Sequence, residues 1–270
     1  MSNTNKGIAL VTGASSGIGL VTARSLAQAG YRVFGTSRKT VASSQGITML
    51  VCDVTDEASV KSLVEEVIRP AGRIDLVVNN AGVGLLGAAE ESSIAQAQRL
   101  FDVNVFGVAR VVNAVLPVMR AQQGGRIINM SSILGLIPSP FNAFYASTKH
   151  AIEGYTESLD HEVRRFGIRV VLVEPGVTRT AFEENLTRAD QPMPTYAEDR
   201  ARSEALMRTL MEAGDAPQVV ADVVVKAATA AKPKLRYSAG KQSSQVRTLR
   251  RYMPESMVDK ALRKFNGFPA

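Results

Sequence analysis

The stretch that decides the fold is "GIALVTGASSGIG", Gly7 to Gly19. Its first half is a short uninterrupted apolar run, the pattern of a strand covered on both faces. Its second half, "TGASSGIG" from Thr12 to Gly19, is a glycine-rich turn, after which "LVTARSLAQAG" takes up a helical period. Gly13 suits a tight turn, Gly17 lets a ligand approach the backbone, and Gly19 lets helix and sheet pack closely, while the helix N-terminus offers free N–H groups to a pyrophosphate. A glycine-rich turn placed between a strand and a helix predicts a dinucleotide site rather than a purely structural turn.

Outward from that turn the same alternation continues. "YRVFGTS", "ITMLVCDV", "IDLVVNNAG", "GRIINMSS" and "IRVVLVEPG" read as buried strands, and "SVKSLVEEVIRPAG" and a long pattern from about Ser92 to Gln122 as helices between them. The helix carrying "NAFYASTKHA" follows, with Gly30 and Gly167 placed to stop helices. Continuously apolar strands need helices on both faces, so the predicted architecture is α/β, a doubly wound parallel sheet of Rossmann type. No repeat and no linker divides the chain, which predicts a single domain over residues 1–270. After Gly176 the alternation weakens. Residues 181–215 are polar at first and then helical in period, as in segments that cover a site. A helix at Pro217–Ala231, a last strand at "LRYSAG" and a basic amphipathic tail from about 241 to 270 complete the chain.

The composition narrows the class. A 45% hydrophobic content suffices for a sizeable core, and no run of about eighteen apolar residues predicts a membrane span. The N-terminal "MSNTNKG" is unlike a signal peptide, and the single Cys52 sits in an apolar run as a small hydrophobe; both fit a cytoplasmic protein. The net charge of +7 is concentrated near the end of the chain, but no nucleic-acid-binding motif accompanies it, so the excess reads as a solvated face. His150 and His161 have no partner at metal-ligand spacing, and no metal site is predicted.

Two positions carry acid–base chemistry. Tyr145 and Lys149 stand four apart on one helix and so share a face. A phenol is a poor base at neutral pH, but an ammonium one turn away, together with a positive nicotinamide ring, would bring its pKa down. Tyr145 could then give a proton to a carbonyl oxygen, or take one from an alcohol, as hydride passes to or from the nicotinamide. Ser131 and Ser132, at the carboxyl end of "GRIINMSS", lie where open α/β sheets bind ligands, and a hydroxyl there could hold the substrate oxygen.

The spacing Gly-x-x-x-Gly-x-Gly, with "CDV" at Asp53, "NNAG" at Asn79–Gly82, "DVNVFG" around Asn104, "NMSS", "YASTK" and "EPGVTRT" in order, resembles the short-chain dehydrogenase/reductase family. These motifs span Thr12 to Thr180. The resemblance implies a catalytic set of Asn104, Ser132, Tyr145 and Lys149, with Asn104 holding a water that links Lys149 to solvent. It places a dinucleotide along Gly13, Ser15, Ser16, Gly17, Ile18 and Gly19, with Asp53 and Val54 at the adenine. Asn80, Ala81 and Gly82 would lie along the ribose, Pro175, Gly176, Val177 and Thr180 at the nicotinamide end, and Tyr145 and Lys149 would also touch the cofactor. It also implies a homodimer or homotetramer built on the helices at 92–122 and 144–166.

At the end of the second strand, "GTSRK" has Ser37 where an NAD-type acid would stand, and Arg38 after it. A guanidinium can fork onto a 2′-phosphate, which predicts NADP(H) over NAD(H). The "EPGVTRTAF" stretch and the long tail are similar to the hydroxysteroid and retinol dehydrogenase subgroup, implying a bulky hydrophobic ketone or secondary alcohol as substrate. Phe182, Leu186, Met193, Tyr196, Leu206, Met207 and Met211, with Leu134 to Phe144, would line its pocket. The alternative is a 3-oxoacyl thioester on an acyl carrier protein or coenzyme A, whose reductases end sooner after the last strand.

Overall fold

The computed structural model describes residues 6–43, 46–180 and 186–268. Seven strands form one parallel sheet in the order β3-β2-β1-β4-β6-β7-β9. They are β1 (Ile8–Val11), β2 (Arg32–Ser37), β3 (Ile47–Val51), β4 (Leu76–Asn79), β6 (Gly125–Met130), β7 (Ile168–Pro175) and β9 (Arg236–Ala239). The expected doubly wound sheet is therefore present. Helices α2 (Glu57–Ala71), α4 (Gly107–Ala121) and α5 (Ala143–Val163) bury Leu63, Val111, Val115 and Ile152 against one face. Helices α1 (Gly17–Gln28) and α7 (Pro217–Thr229) bury Leu26, Val220 and Val224 against the other. At roughly 25 cal/mol per Å² of apolar surface removed from water, these two layers hold the sheet together. Strand order reverses between β1 and β4, and the carboxyl ends of the strands open there onto a crevice.

Three features depart from the sequence expectation. The helix expected over Ser92–Gln122 is two helices, α3 (Ile94–Phe101) and α4, joined by a π-helical turn at Asp102–Phe106. A π turn admits an extra residue within a helix, and here it turns Asn104 into the interior at 2% exposure. Within an apolar run such as this one, a one-residue offset is too small to be read as a break between two helices. The run Ile94–Ala121 is long and apolar enough to cross a bilayer, but its valines at 108, 111, 112 and 115 pack on the sheet instead. Second, β5 (Gly84–Leu86) and β8 (Leu186–Arg188) pair as a small parallel sheet beside the crevice, too short to leave a pattern in sequence. Third, the basic tail is two helices, α8 (Lys241–Tyr252) and α9 (Glu255–Phe265), separated by Met253 and Pro254, and α6 (Ala197–Glu212) precedes them on the same side of the crevice. Pro254 has no N–H to continue α8 and sits directly before α9.

Candidate active site

One cavity of about 820 Å³ runs along the carboxyl edge of the sheet. At one end lies the glycine-rich turn. Gly13 and Gly17 hold φ of +66° and +53°, where a side chain would be strained. A Cβ on Gly19 would fall 2.1 Å from the Gly13 carbonyl oxygen and 2.4 Å from Asn80 Nδ2, so its absence lets α1 start directly under the turn. Asn80 Nδ2 donates to the carbonyls of Thr12 and Gly13 at 3.0 and 3.1 Å, while Thr12 Oγ1 accepts from the N–H groups of Asn80 and Ala81, both at 3.0 Å. The turn is thus stitched to β4 on both sides. Thr12 and the fastening role of Asn80 were missed in the sequence, although both fall inside quoted motifs. The side chain of Ser16, the residue before α1, makes no cap, so the first N–H groups of the helix are left for a ligand.

Ser37, Arg38 and Lys39 line the wall beside this turn. Asp53 is fixed by accepting from Thr55 N at 2.9 Å and Thr55 Oγ1 at 2.7 Å, bonds that hold its carboxyl below the usual range. Arg38 adds to that lowering. Cys52 is buried, and burial pushes its thiol up, as expected of a small hydrophobe.

Further along stand Ser132, Tyr145 and Lys149. Ser132 Oγ accepts from Leu134 N at 3.1 Å and is hydrogen-bonded to the Tyr145 hydroxyl. Lys149 is buried and its Nζ donates to the Met130 carbonyl at 3.0 Å, lying 5.6 Å from the centre of the Tyr145 ring. Burial raises the Tyr145 phenol to about 12, against the opposing pull of Ser132, and lowers Lys149 to about 8, against the opposing pull of Glu153. In the chain alone burial is the largest influence on both groups and pushes each towards its neutral form; the lowering expected from spacing draws on a positive nicotinamide ring as well.

All of the residues assigned from sequence to cofactor or catalysis line this cavity except Asn104. Asn104 sits behind it, with Oδ1 accepting from Val83 N at 2.9 Å and Nδ2 donating to Val83 O at 2.9 Å and to Thr148 Oγ1 at 3.2 Å. Its amide is occupied in tying the chain after β4 to α5. Thr180 flanks Gly17 across the crevice, its Cβ 3.6 Å from where a Gly17 Cβ would stand. Of the residues expected at the substrate, Leu186, Leu206, Met207 and Met211 line the cavity, and so do Leu134, Ile137, Pro138, Ser139 and Asn142 of the stretch from Leu134 to Phe144. Met193, Tyr196 and Phe144 do not. Met193 N donates to Glu91 Oε1 at 2.7 Å and Tyr196 bonds Glu90, so these two close the segment from outside. Phe182 lies outside the described residues.

Sequence reading also missed a charge cluster, centred on the buried Glu153 and Glu174, behind Lys149. Arg236 Nε lies 2.9 Å from Glu153 Oε2 and 3.3 Å from Glu174 Oε1, its Nη1 lies 2.5 Å from Glu157, and Arg247 approaches Glu174 at 3.8 Å. Burial and the neighbouring Glu153 raise Glu174 to about 7. Ser243 donates to the Glu174 carbonyl at 2.6 Å and Gln242 accepts from Val177 N at 3.2 Å, so α8 is bonded to the loop after β7. The "E" of "EPG" was the available signal, but nothing local tells that its partners lie sixty residues on.

The description "short chain dehydrogenase" applies to the family model that matches residues 7–191. The chain belongs to the short-chain dehydrogenase family. Among its relatives is a 3-ketodihydrosphingosine reductase of Bacteroides thetaiotaomicron, 38% identical over 96% of this chain and 97% of that protein. Retinol dehydrogenase 8 of Bos taurus is 39% identical over 84% of this chain and 79% of its own length. A short-chain dehydrogenase/reductase from Burkholderia phymatum, solved in complex with NAD, superposes with a TM-score of 0.80 at 26% identity, covering 92% of this chain and 94% of that one. Membership makes the protein an oxidoreductase with a nicotinamide dinucleotide site. The residues present fit that group: a positive-φ glycine turn, a helix N-terminus with free N–H groups and a fixed carboxylate at the far wall share one cavity.

Proposed function

We propose that this short-chain dehydrogenase reduces a bulky hydrophobic ketone, or oxidises the matching secondary alcohol, with NADP(H). The observation that carries this reading is the convergence of Ser132, Tyr145 and Lys149 on a cavity whose far side is an apolar wall of Leu206, Met207 and Leu210. A nicotinamide dinucleotide held by the Gly13–Gly19 turn and the free N–H groups of α1 would supply or accept the hydride and, in its oxidised form, would add a positive charge to the site. Ser132 holds the substrate oxygen against the Tyr145 hydroxyl, which donates its proton to that oxygen in reduction and removes it in oxidation. Lys149, held by the Met130 carbonyl, favours the phenolate when charged. Asn104 positions α5 through Thr148 and so sets where Tyr145 stands. Arg38, with Lys39 and Ser37 beside it, favours a 2′-phosphate over a free ribose hydroxyl. By the family resemblance, two copies would associate through α4 and α5.

The substrate class is supported by the wall's chemistry and by two relatives whose names specify a sphingoid ketone and a retinoid alcohol. The test is NADPH oxidation followed spectrophotometrically with hydrophobic ketones and with acetoacetyl thioesters. Higher kcat/KM for the ketones is the expected outcome; preference for the thioesters would transfer the assignment to an acyl thioester reductase.

A further inference from the structure

Helices α6, α8 and α9 each turn one apolar stripe towards the cavity, and on α8 and α9 the stripe reaches the surface. Leu249 and Phe265 line the cavity and are still 51% and 53% exposed, which places them at its rim. On the same two helices Tyr252 and Met257, 75% and 53% exposed, line no part of it. Half of the eight large exposed apolar side chains among the described residues therefore stand on these two short helices. Isolated apolar residues on a surface call for no explanation, but four gathered on the two helices that form a cavity rim do.

The same helices carry exposed Arg250, Arg251, Lys260 and Lys264 against only Glu255 and Asp259, and the Arg251 guanidinium lies 5.6 Å from the centre of the Tyr252 ring. Apolar side chains interleaved with cations suit the boundary between lipid headgroups and acyl chains. A second copy of the chain is disfavoured as the cover, since a self-complementary contact would oppose these cations to themselves. An acidic carrier protein would satisfy the cations, but burying Tyr252 and Met257 would also need apolar groups among its carboxylates, whereas an anionic lipid surface supplies both together.

We propose that the α8–α9 pair docks the protein on an anionic lipid surface, with the cavity mouth turned to the acyl-chain region. An apolar ketone would then enter between Leu249 and Phe265 without crossing water. This builds on the hydrophobic substrate class above, but its test does not depend on turnover.

The full chain is sedimented with vesicles of phosphatidylcholine alone and with added phosphatidylglycerol, at low and high salt. The bound fraction should rise with phosphatidylglycerol and fall with salt. A Tyr252→Glu, Met257→Glu double variant, which touches neither cavity nor catalytic groups, should partition about tenfold less strongly while keeping its melting temperature and its rate on a small water-soluble ketone. No binding to anionic vesicles would overturn the proposal, as would a variant that binds like the parent. Capture of an acidic carrier protein in place of vesicles, or a loss of dimer mass in the variant, would also overturn it. Absence of ketone reduction with vesicle binding intact would instead remove the substrate reading and leave the docking surface standing.

Discussion

The two walls of the cavity are built on opposite principles. The wall from β1 to β7 is backbone and fixed polar groups: the turn at Gly13–Gly19 pinned by Thr12 and Asn80, and Lys149 bonded to Met130. The wall from α6, α8 and α9 is apolar side chain on helices that bury little of their own; α6 has no buried residue at all. Chemistry that moves a hydride and a proton demands particular atoms within tenths of an ångström, whereas an apolar ligand demands only an apolar surface of the right shape. Substitutions on the first wall should therefore cost far more than on the second.

The largest effect is expected at Gly19→Ala. The added Cβ must displace the Gly13 carbonyl or the Asn80 amide, so we expect a loss of about 3 kcal/mol or more in denaturant unfolding, with dinucleotide binding lost alongside. Wild-type stability with normal binding would show that the first wall tolerates what its geometry forbids.

Next comes Arg38→Asp. Replacing a guanidinium by a carboxylate beside a 2′-phosphate should shift the ratio of kcat/KM for NADPH and NADH by roughly 10- to 100-fold towards NADH. An unchanged ratio would refute the role of Arg38.

The weld between the walls offers a third test. Glu174 is fully buried with its pKa raised to about 7, so the folded chain holds this proton more tightly than the unfolded chain does. The stability this contributes is present below the ordinary carboxylate range and is lost as pH rises through about 7. Glu174→Gln stays neutral throughout, so its melting temperature should fall less than that of the parent between about pH 5 and 8, a difference of about 1–2 kcal/mol. Parallel curves would contradict a protonated Glu174.

The smallest effect is expected at Met207→Ala. On a helix with no fully buried residue, removing a half-buried, cavity-facing thioether should change stability by less than about 1 kcal/mol while raising KM for a long hydrophobic ketone and leaving a small one unaffected. A large loss of stability would mean that α6 packs as core and not as a ligand wall.

The same contrast explains what could be read from sequence. Strand runs such as "IALV" and the Gly13, Gly17 and Gly19 spacing are legible because burial on two faces and close backbone approach each restrict the residue type. Tyr145 and Lys149 are legible because helical period places them together. Asn104 was selected, but its setting was not, since the one-residue offset of the π turn that buries it is lost within an otherwise apolar helical run. Arg236, Arg247 and Gln242 were invisible because their partners Glu153, Glu174 and Val177 are distant in sequence, and a charge on a helix looks the same whether it faces solvent or a buried carboxylate. Leu249 and Phe265 could be seen only as part of an amphipathic tail, because no local pattern says which cavity a stripe will face.

The central claim is that the Tyr145 hydroxyl, steadied by Ser132, moves the proton that accompanies hydride transfer. It is tested most directly by comparing Tyr145→Phe with the parent, measuring NADPH affinity by fluorescence titration and kcat/KM on one hydrophobic ketone. Retained affinity with kcat/KM lower by about 10²- to 10⁴-fold is the predicted result. A variant that binds NADPH normally and still turns over within a few fold of the parent would contradict it.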